Sequence, residues 1–496
     1  MSERSDSTAR SSLASVAARG ASFTIAGQLI RVVTMLLGTV VLARLLAPEA
    51  FGLVAVVLSL VAFGELVRDF GLSTAAARAE KLTRGQQSNL FWINTAIGVV
   101  LTVIAYACGP FVADVFGQEE LSEIVRWTAP LFIANGLATQ FRAEINRKLN
   151  FKGLAVVDTL PPILGLVSAV GFIFAFSQAN YWALVAQQLA TSMFGLLLAV
   201  PLAGWIPGLP SRRASVRNLL SFSAGLFGTQ SVAYLARNID NLAISYFWGP
   251  ASLGIYSRAY QLLMAPINQI SAPLTRVTVP ILTRVADQRG RFMSYLEAGQ
   301  LVGGIGIGLL YGVLFGLAEP VVLLVFGEPW APIIPVFQGL AVGGVFRALN
   351  QVTFWVFLAK GATGSQFKFY LVSQPLIVAC MIAGIPWGAL GVAVGHSVGY
   401  ALNWTISFWW CGRVTDTPMA ALYWAGVKSI FAFSVPIAAI GLAASWLVPG
   451  HLACIGVGAV AICVYLGLLW CISDYAKGVA AHTIYVLRKV RTRGAV

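Results

Sequence analysis

The sequence predicts an all-α polytopic membrane protein of about fourteen transmembrane helices, arranged as two six-helix repeats related by a pseudo-twofold axis along the membrane normal, with two further helices at the C-terminus. Three observations carry this. The 496 residues are 58% hydrophobic and only 10% charged, whereas a soluble domain is about one quarter charged. Apolar runs of roughly 20 residues, the length that spans a bilayer, follow one another with short connections. Short stretches of the first half also recur in the second, in the same order, roughly 200 residues later. Spans of that number and length leave no segment for a soluble catalytic domain.

The elements are read in order. Residues 1–20 are Ser- and Arg-rich but contain Glu3 and Asp6, which favours a cytoplasmic tail over a transit peptide. Apolar runs bounded by charge or by Pro and Gly predict helices over 21–43, 51–68, 89–114, 124–142, 154–176 and 180–204, a bundle occupying 21–205. The stretch GWIPGLPSRRASVRN then supplies a cytoplasmic linker over 206–218. Helices over 219–247, 252–275, 298–326, 333–358, 368–387 and 389–411 form a second bundle over 219–412. Two more, 421–447 and 452–473, fill 413–473 and precede a basic cytoplasmic tail, 474–496.

Charge supports this count, because one missed helix would reverse the side of every later loop. Arg68, Arg78, Lys81 and Arg84 fall on one connection, Arg142, Arg147, Lys148 and Lys152 on the next of the same side, then Arg212, Arg213 and Arg217, then Arg276, Arg284, Arg289 and Arg291. Asp114, Glu119, Glu120 and Glu123 fall on an opposite connection. The positive-inside rule therefore puts both termini in the cytoplasm. The net charge of +14 would suit nucleic acid in a soluble chain; dispersed between apolar runs it is a topology signal, and no nucleic-acid partner is expected.

The repeat pairs LLAPEAFGLVA with YFWGPASLGIYS, so that Pro48 matches Pro250 and Gly52 matches Gly254. PFVADVFG and PVVLLVFG pair Gly117 with Gly327, and Phe151-Lys152 pairs with Phe367-Lys368. An even number of helices per repeat gives both halves one orientation, with a cleft between two bundles and alternating access as the implied mechanism.

Four arginines fall inside predicted spans: Arg31, Arg237, Arg258 and Arg347. Each would cost about 2.5 to 3.5 kcal/mol facing lipid, so they should face an interior. Guanidinium groups bind phosphate oxygens through a bidentate fork, and the four are candidate contacts for an anionic head group in a central cavity. Arg237 and Asp240 are three residues apart and can equally form an ion pair, while Arg258 can reach the interface by snorkelling. Asp240 is a candidate for ion coupling. Glu65, Arg68 and Asp69 at one helix end read as a solvated terminus.

Gly391, Gly395 and Gly399, and Gly304 and Gly308, make small-residue faces for helix packing. Tyr181, Trp182, Trp248, Trp330 and Trp387 lie at predicted boundaries, as in an aromatic belt. The six cysteines lack metal-ligand spacing, and His396, His451 and His482 are far apart, so neither a metal nor a cofactor is expected. No nucleophile, base and oxyanion donor converge in any segment, which argues against an enzyme.

The stretches LARLLAPEAFGLVAVV, INRKLNFKGLAVVDT, WALVAQQLA and NIDNLAISYFWGPASLGIYSRAYQL resemble the Wzx-type polysaccharide flippases of the multidrug/oligosaccharidyl-lipid/polysaccharide exporter superfamily, over residues 20–410. The likeness is nearest to the exopolysaccharide subgroup. The resemblance implies a multi-pass protein of the bacterial inner membrane that moves undecaprenyl-diphosphate-linked oligosaccharide units from the cytoplasmic to the periplasmic face. It also implies functional links to glycosyltransferases and a polysaccharide polymerase, and a lipid tail that stays among membrane lipids. A drug or cation antiporter of the same superfamily, and a peptidoglycan-precursor flippase, are the alternatives. Four arginines against few mid-membrane acids favour anionic cargo over the antiporter.

Overall fold

Described by a computed structural model, the chain is defined over residues 27–70, 83–148, 150–177, 179–211, 214 and 216–472. The side chains of 217–226, 228–230, 232–233, 235–237, 272, 302 and 305 are not described. Both tails, Arg78, Lys81, Arg212, Arg213 and the side chain of Arg237 therefore lie outside the described residues.

Helix follows apolar run throughout. The first half gives α1 (Gly27–Leu45), α2 (Pro48–Asp69), α3 (Arg84–Phe116), α4 (Glu120–Thr128), α5 (Leu131–Arg147), α6 (Phe151–Phe176) and α7 (Tyr181–Ala203). Pro48 occupies the first turn of α2, where a missing N–H costs nothing. Thr83 and Gln86 close a reciprocal capping box at the start of α3. The span expected over 124–142 is two helices, separated by Ala129 and Pro130.

Beyond the linker come α8 (Arg217–Arg284), α9 (Arg289–Gln300), α10 (Gly306–Gly316), α11 (Ala318–Val325), α12 (Ile333–Leu349), α13 (Gln351–Ala359), α14 (Thr363–Ala383), α15 (Gly388–Thr415), α16 (Met419–Ser429), α17 (Val435–Leu447) and α18 (His451–Ile472). The two spans expected over 219–275 are one helical run broken at Gly249, whose φ of 78° and ψ of 176° define a conformation open essentially to glycine alone. The span expected over 298–326 also departs from a single rod. A π-helical turn, Leu301–Ile305, joins α9 to α10, and α10 meets α11 at a 73° bend. Pro320 sits in the first turn of α11, compatible with a fresh helix start there.

Among the described residues nine helices are long and apolar enough to cross a membrane, or ten if the bent α10–α11 pair is one span. Their outward surfaces carry Val103, Phe111, Phe174, Leu371 and Val460, all exposed. Helices apolar on every side and left so bare match hydrocarbon as solvent, with backbone hydrogen bonds closed within each helix. The chain is a polytopic, all-helical membrane protein. Trp248 and Trp387 are exposed, as a belt requires, but Trp330 is fully buried and packs on Phe326, 6.1 Å between ring centroids. It is a core residue rather than a belt residue, because the turn Glu328–Trp330 folds it inward.

The chain divides into two units: one running to Asn238 and including Gly249–Ala251, the other comprising Ile239–Trp248 and the residues from Ser252. In the first, α3 packs on α4 and α5, and α6 on α7. Phe91, Phe141, Ile145, Val157, Ala199, Ala203 and Trp205 form a core cluster. The linker is pinned beside it: Asn89 donates to the carbonyls of Ser211 (2.8 Å) and Ala214 (2.7 Å), and Trp92 donates to that of Gly208 at 2.9 Å.

In the second unit, α15 packs against both α12 and α14. The glycine stripe acts as expected: a Cβ on Gly395 would stand 2.2 Å from the Cys380 carbonyl oxygen, and one on Gly391 would stand 2.1 Å from that of Gly384. Backbone meets backbone here, which only a residue without a side chain permits.

Candidate functional site

Within the second unit, α8, α12 and α15 bring a polar cluster together in apolar surroundings. Arg347, near the end of α12, directs Nη1 to the hydroxyls of Tyr400 (2.9 Å) and Tyr260 (3.4 Å). Its guanidinium carbon lies 5.1 Å from the centroid of the Tyr400 ring. Both hydrogen bonds use Nη1, so these tyrosines leave the opposite edge of the guanidinium, the edge that forks onto an oxyanion. Among the described residues, no carboxylate lies within ion-pair distance of Arg347.

Asp240, on α8, is buried and is reached through tyrosines. Tyr256 donates its hydroxyl to Asp240 Oδ2 at 2.8 Å, and the Asn241 backbone N–H donates to Oδ1 at 2.9 Å. The break at Gly249 makes this possible, because it lets the two stretches of α8 fold so that residues sixteen apart meet. Tyr256 stacks on Tyr260 with centroids 6.1 Å apart. A chain of groups therefore runs from Asp240 through Tyr256 and Tyr260 to Arg347.

The other arginines have different settings. Arg258 donates to Gln261 on its own helix, one turn on. Arg31, on α1 of the first unit, is exposed and bonded to Gln28. The Arg237 side chain lies outside the described residues, and Asp240 accepts from Tyr256 and Asn241. Of the four arginines, the structure places Arg258 and Arg347 in the second unit, and Arg31 in the first.

The first unit shows how an arginine in this protein looks when it is internally answered. Arg68 is 6% exposed, donates to Glu65 at 2.8 Å and to Asn94 at 3.2 Å, and Asn135 and Ser192 continue the network. The expected solvated helix end is instead a buried network joining α2, α3, α5 and α7, because Asn94 and Asn135 on neighbouring helices supply its partners. Arg142 pairs with Asp158. Glu144 accepts from Gln87 and pairs with Arg84 at 3.1 Å and Lys148 at 3.5 Å.

Sequence reasoning missed Tyr256, Tyr260, His396 and Tyr400. The signal was spacing: Tyr256 and Tyr260 are four apart on α8, and His396 and Tyr400 four apart on α15, so each pair lines one helix face.

The helical architecture is that of a solved membrane transporter. The chain superposes on the lipid II flippase MurJ, in an inward closed conformation, with a TM-score of 0.68, covering 90% of this chain and 98% of that one at 12% identity. Residues 41–335 match the family described as polysaccharide biosynthesis protein, and the chain belongs to that family. It is 26% identical over 376 residues to the lipopolysaccharide biosynthesis protein WzxC of Escherichia coli (strain K12), across 74% of this chain and 75% of that protein. It is also 26% identical over 415 residues to the succinoglycan biosynthesis transport protein ExoT of Rhizobium meliloti (strain 1021), across 80% and 79%. With these relatives it is a Wzx-like membrane protein of polysaccharide biosynthesis.

Proposed function

We propose that the protein is a flippase of the bacterial inner membrane that carries undecaprenyl-diphosphate-linked oligosaccharide units to the periplasmic face for exopolysaccharide biosynthesis, by alternating access. The observation that carries this reading is Arg347: a guanidinium held in a membrane helix by two tyrosine hydroxyls, with no carboxylate to answer it among the described residues. Retaining an unpaired cation in an apolar interior is costly unless a ligand answers it. A diphosphate is such a ligand. Moving it with several sugars through bare hydrocarbon would cost tens of kcal/mol, which a polar path lowers.

Arg31, Arg258 and Arg237 belong to the reading as further head-group contacts, and Asp240 as the ion-coupling group. The fourteen spans belong to it too, as two six-helix bundles, 21–205 and 219–412, flanking the linker 206–218 and followed by a helix pair. Two matched features support the duplication: Pro48 opens α2 while Pro250 follows the break in α8, and Gly117 and Gly327 adopt positive φ of 65° and 93°. Glycosyltransferases would supply the cargo and a polymerase consume it.

The test is the sidedness of lipid-linked oligosaccharide in spheroplasts, read with an outer-face probe. Cells lacking the protein should accumulate the intermediate on the inner leaflet, and R347A or R31A should reproduce that defect while still inserting. Normal sidedness in the null strain would overturn the reading in favour of a drug antiporter. Outer-leaflet intermediate left unpolymerised would point to a downstream component.

A further inference from the structure

We infer that the Arg347 site takes its anion together with a proton, and that His396 is where the proton sits. The inference rests on the proposed reading of Arg347 as a head-group contact. His396 lies on α15, one turn from Tyr400, and is 1% exposed. Its ring is edge-on to Tyr260, with centroids 5.9 Å apart, and 4.5 Å from the Tyr400 ring. These are the two tyrosines that hold Arg347, so imidazole and guanidinium belong to one constellation. Among the described residues, no group hydrogen-bonds to either ring nitrogen. Nδ1 faces the Gly343 backbone on α12 so closely that a Cβ on that glycine would lie 2.7 Å from it.

Buried side-chain nitrogens are nearly always bonded, and an apolar ring of similar shape would fill this space without desolvating two polar atoms. Two unanswered nitrogens on one ring, beside an arginine without a carboxylate, mark a place organised for something that arrives. The charges say what. Arg347 carries one positive charge, and Asp240, accepting from Tyr256 and Asn241 as a carboxylate does, carries one negative charge. The titratable side chains that face this cluster are otherwise Tyr256 and Tyr260 of α8, Tyr400 of α15, Tyr311 of α10, whose ring lies against Gly344 of α12, Tyr370 and Cys380 of α14, and, two turns along, Tyr423 of α16, which stacks on Trp404, while Arg276, Arg284, Lys368, Arg413 and Lys428 are exposed toward the helix ends. The tyrosines and the cysteine are uncharged at neutral pH.

The cluster thus has no net charge when empty. A second proton charge on His396 would be repelled by Arg347. A diphosphate diester brings two negative charges, leaving the filled cluster at minus two. One proton on His396 halves that charge, which a low-dielectric membrane interior favours. It also converts an unbonded ring nitrogen into an N–H donor for the anion. Linkage is reciprocal, so anion binding draws the proton and the proton tightens the anion.

The experiment uses the full chain in detergent and a prenyl-diphosphate-linked N-acetylglucosamine with a short geranyl chain, a diester whose charges do not titrate near neutrality. Titration calorimetry in buffers of differing ionisation enthalpy counts protons taken up for each probe molecule bound. Wild type should take up about one, and its affinity should fall by up to about tenfold for each pH unit of increase. H396Q should take up none, with pH-independent affinity; H396N serves if the glutamine variant does not fold. Binding without proton uptake in wild type overturns the inference and leaves the flippase reading standing. So does uptake that persists in both His396 variants, or that disappears only in D240N. A wild-type chain that does not bind the probe removes the head-group site itself, and the inference with it.

Discussion

Glu144 sits beyond the apolar part of α5, where α3 and α5 present Arg84 and Lys148. Burial alone would raise its carboxyl, but the Gln87 hydrogen bond and the charges of Arg84 and Lys148 outweigh that and hold it below the usual 4.5. A folded-state value lower than the unfolded one contributes stability that is present above about pH 4.5 and is lost as pH falls through the folded value. Thermal unfolding of the purified protein should therefore fall toward acid between pH 5 and 3, and E144Q should flatten that part of the curve. Equal slopes in both proteins would show that Glu144 does not titrate with folding. Arg347 was legible in the sequence because a charge within an apolar run violates the pattern around it. Its tyrosines were not, since Tyr260 and Tyr400 in apolar helices read equally well as filler until α8, α12 and α15 are brought together. The Glu65–Arg68 network was misread for the same reason: its partners Asn94, Asn135 and Ser192 are distant in sequence.

Gly249 and Gly395 set the course of whole helices. A side chain at Gly249 meets nothing within 4 Å, so G249A should act purely through backbone strain, about 1–3 kcal/mol. Gly395 is the opposite case: its conformation is ordinary, but an added Cβ would collide with the Cys380 carbonyl. G395A should push α15 from α14 and destabilise by about 1–3 kcal/mol, the usual penalty of overpacking. Thermal unfolding of both variants checks this, and the second should additionally raise the reactivity of Cys380 toward a membrane-permeant maleimide. Hydropathy located most of the helices to within about five residues, because leaving or entering hydrocarbon is the event that hydropathy measures, whereas α8 runs past the expected end at 275 to Arg284 and α9 begins at Arg289, ahead of the expected 298. The breaks were illegible where the run stayed apolar. LVGGI and the Gly316–Leu317 junction contain no polar residue to mark a π turn or a 73° bend, and Ala129 is as apolar as its neighbours.

The molecule as a whole is a set of apolar helices, and the proposed fourteen-span arrangement makes a sharp statement about sides. In a background without native cysteines, E119C and G450C should react with an impermeant maleimide from outside the cell, whereas R289C and D416C should react only after permeabilisation. Labelling of all four from one side would break the arrangement. The family was legible because its signature stretches are local in sequence; the charge balance around Arg347 was not, because it exists only in three dimensions. The placement of Arg347 also bears on how the chain is made. The translocon presents α12 to lipid before α15 has been synthesised, so the arginine enters the bilayer with Tyr260 already made and Tyr400 still some fifty residues away. At that moment the insertion penalty of about 2.5–3.5 kcal/mol lacks the shorter of its two tyrosine hydrogen bonds. A chain truncated between α12 and α15 should therefore insert α12 less completely than one that includes Tyr400, as glycosylation or protease mapping of the truncations would read.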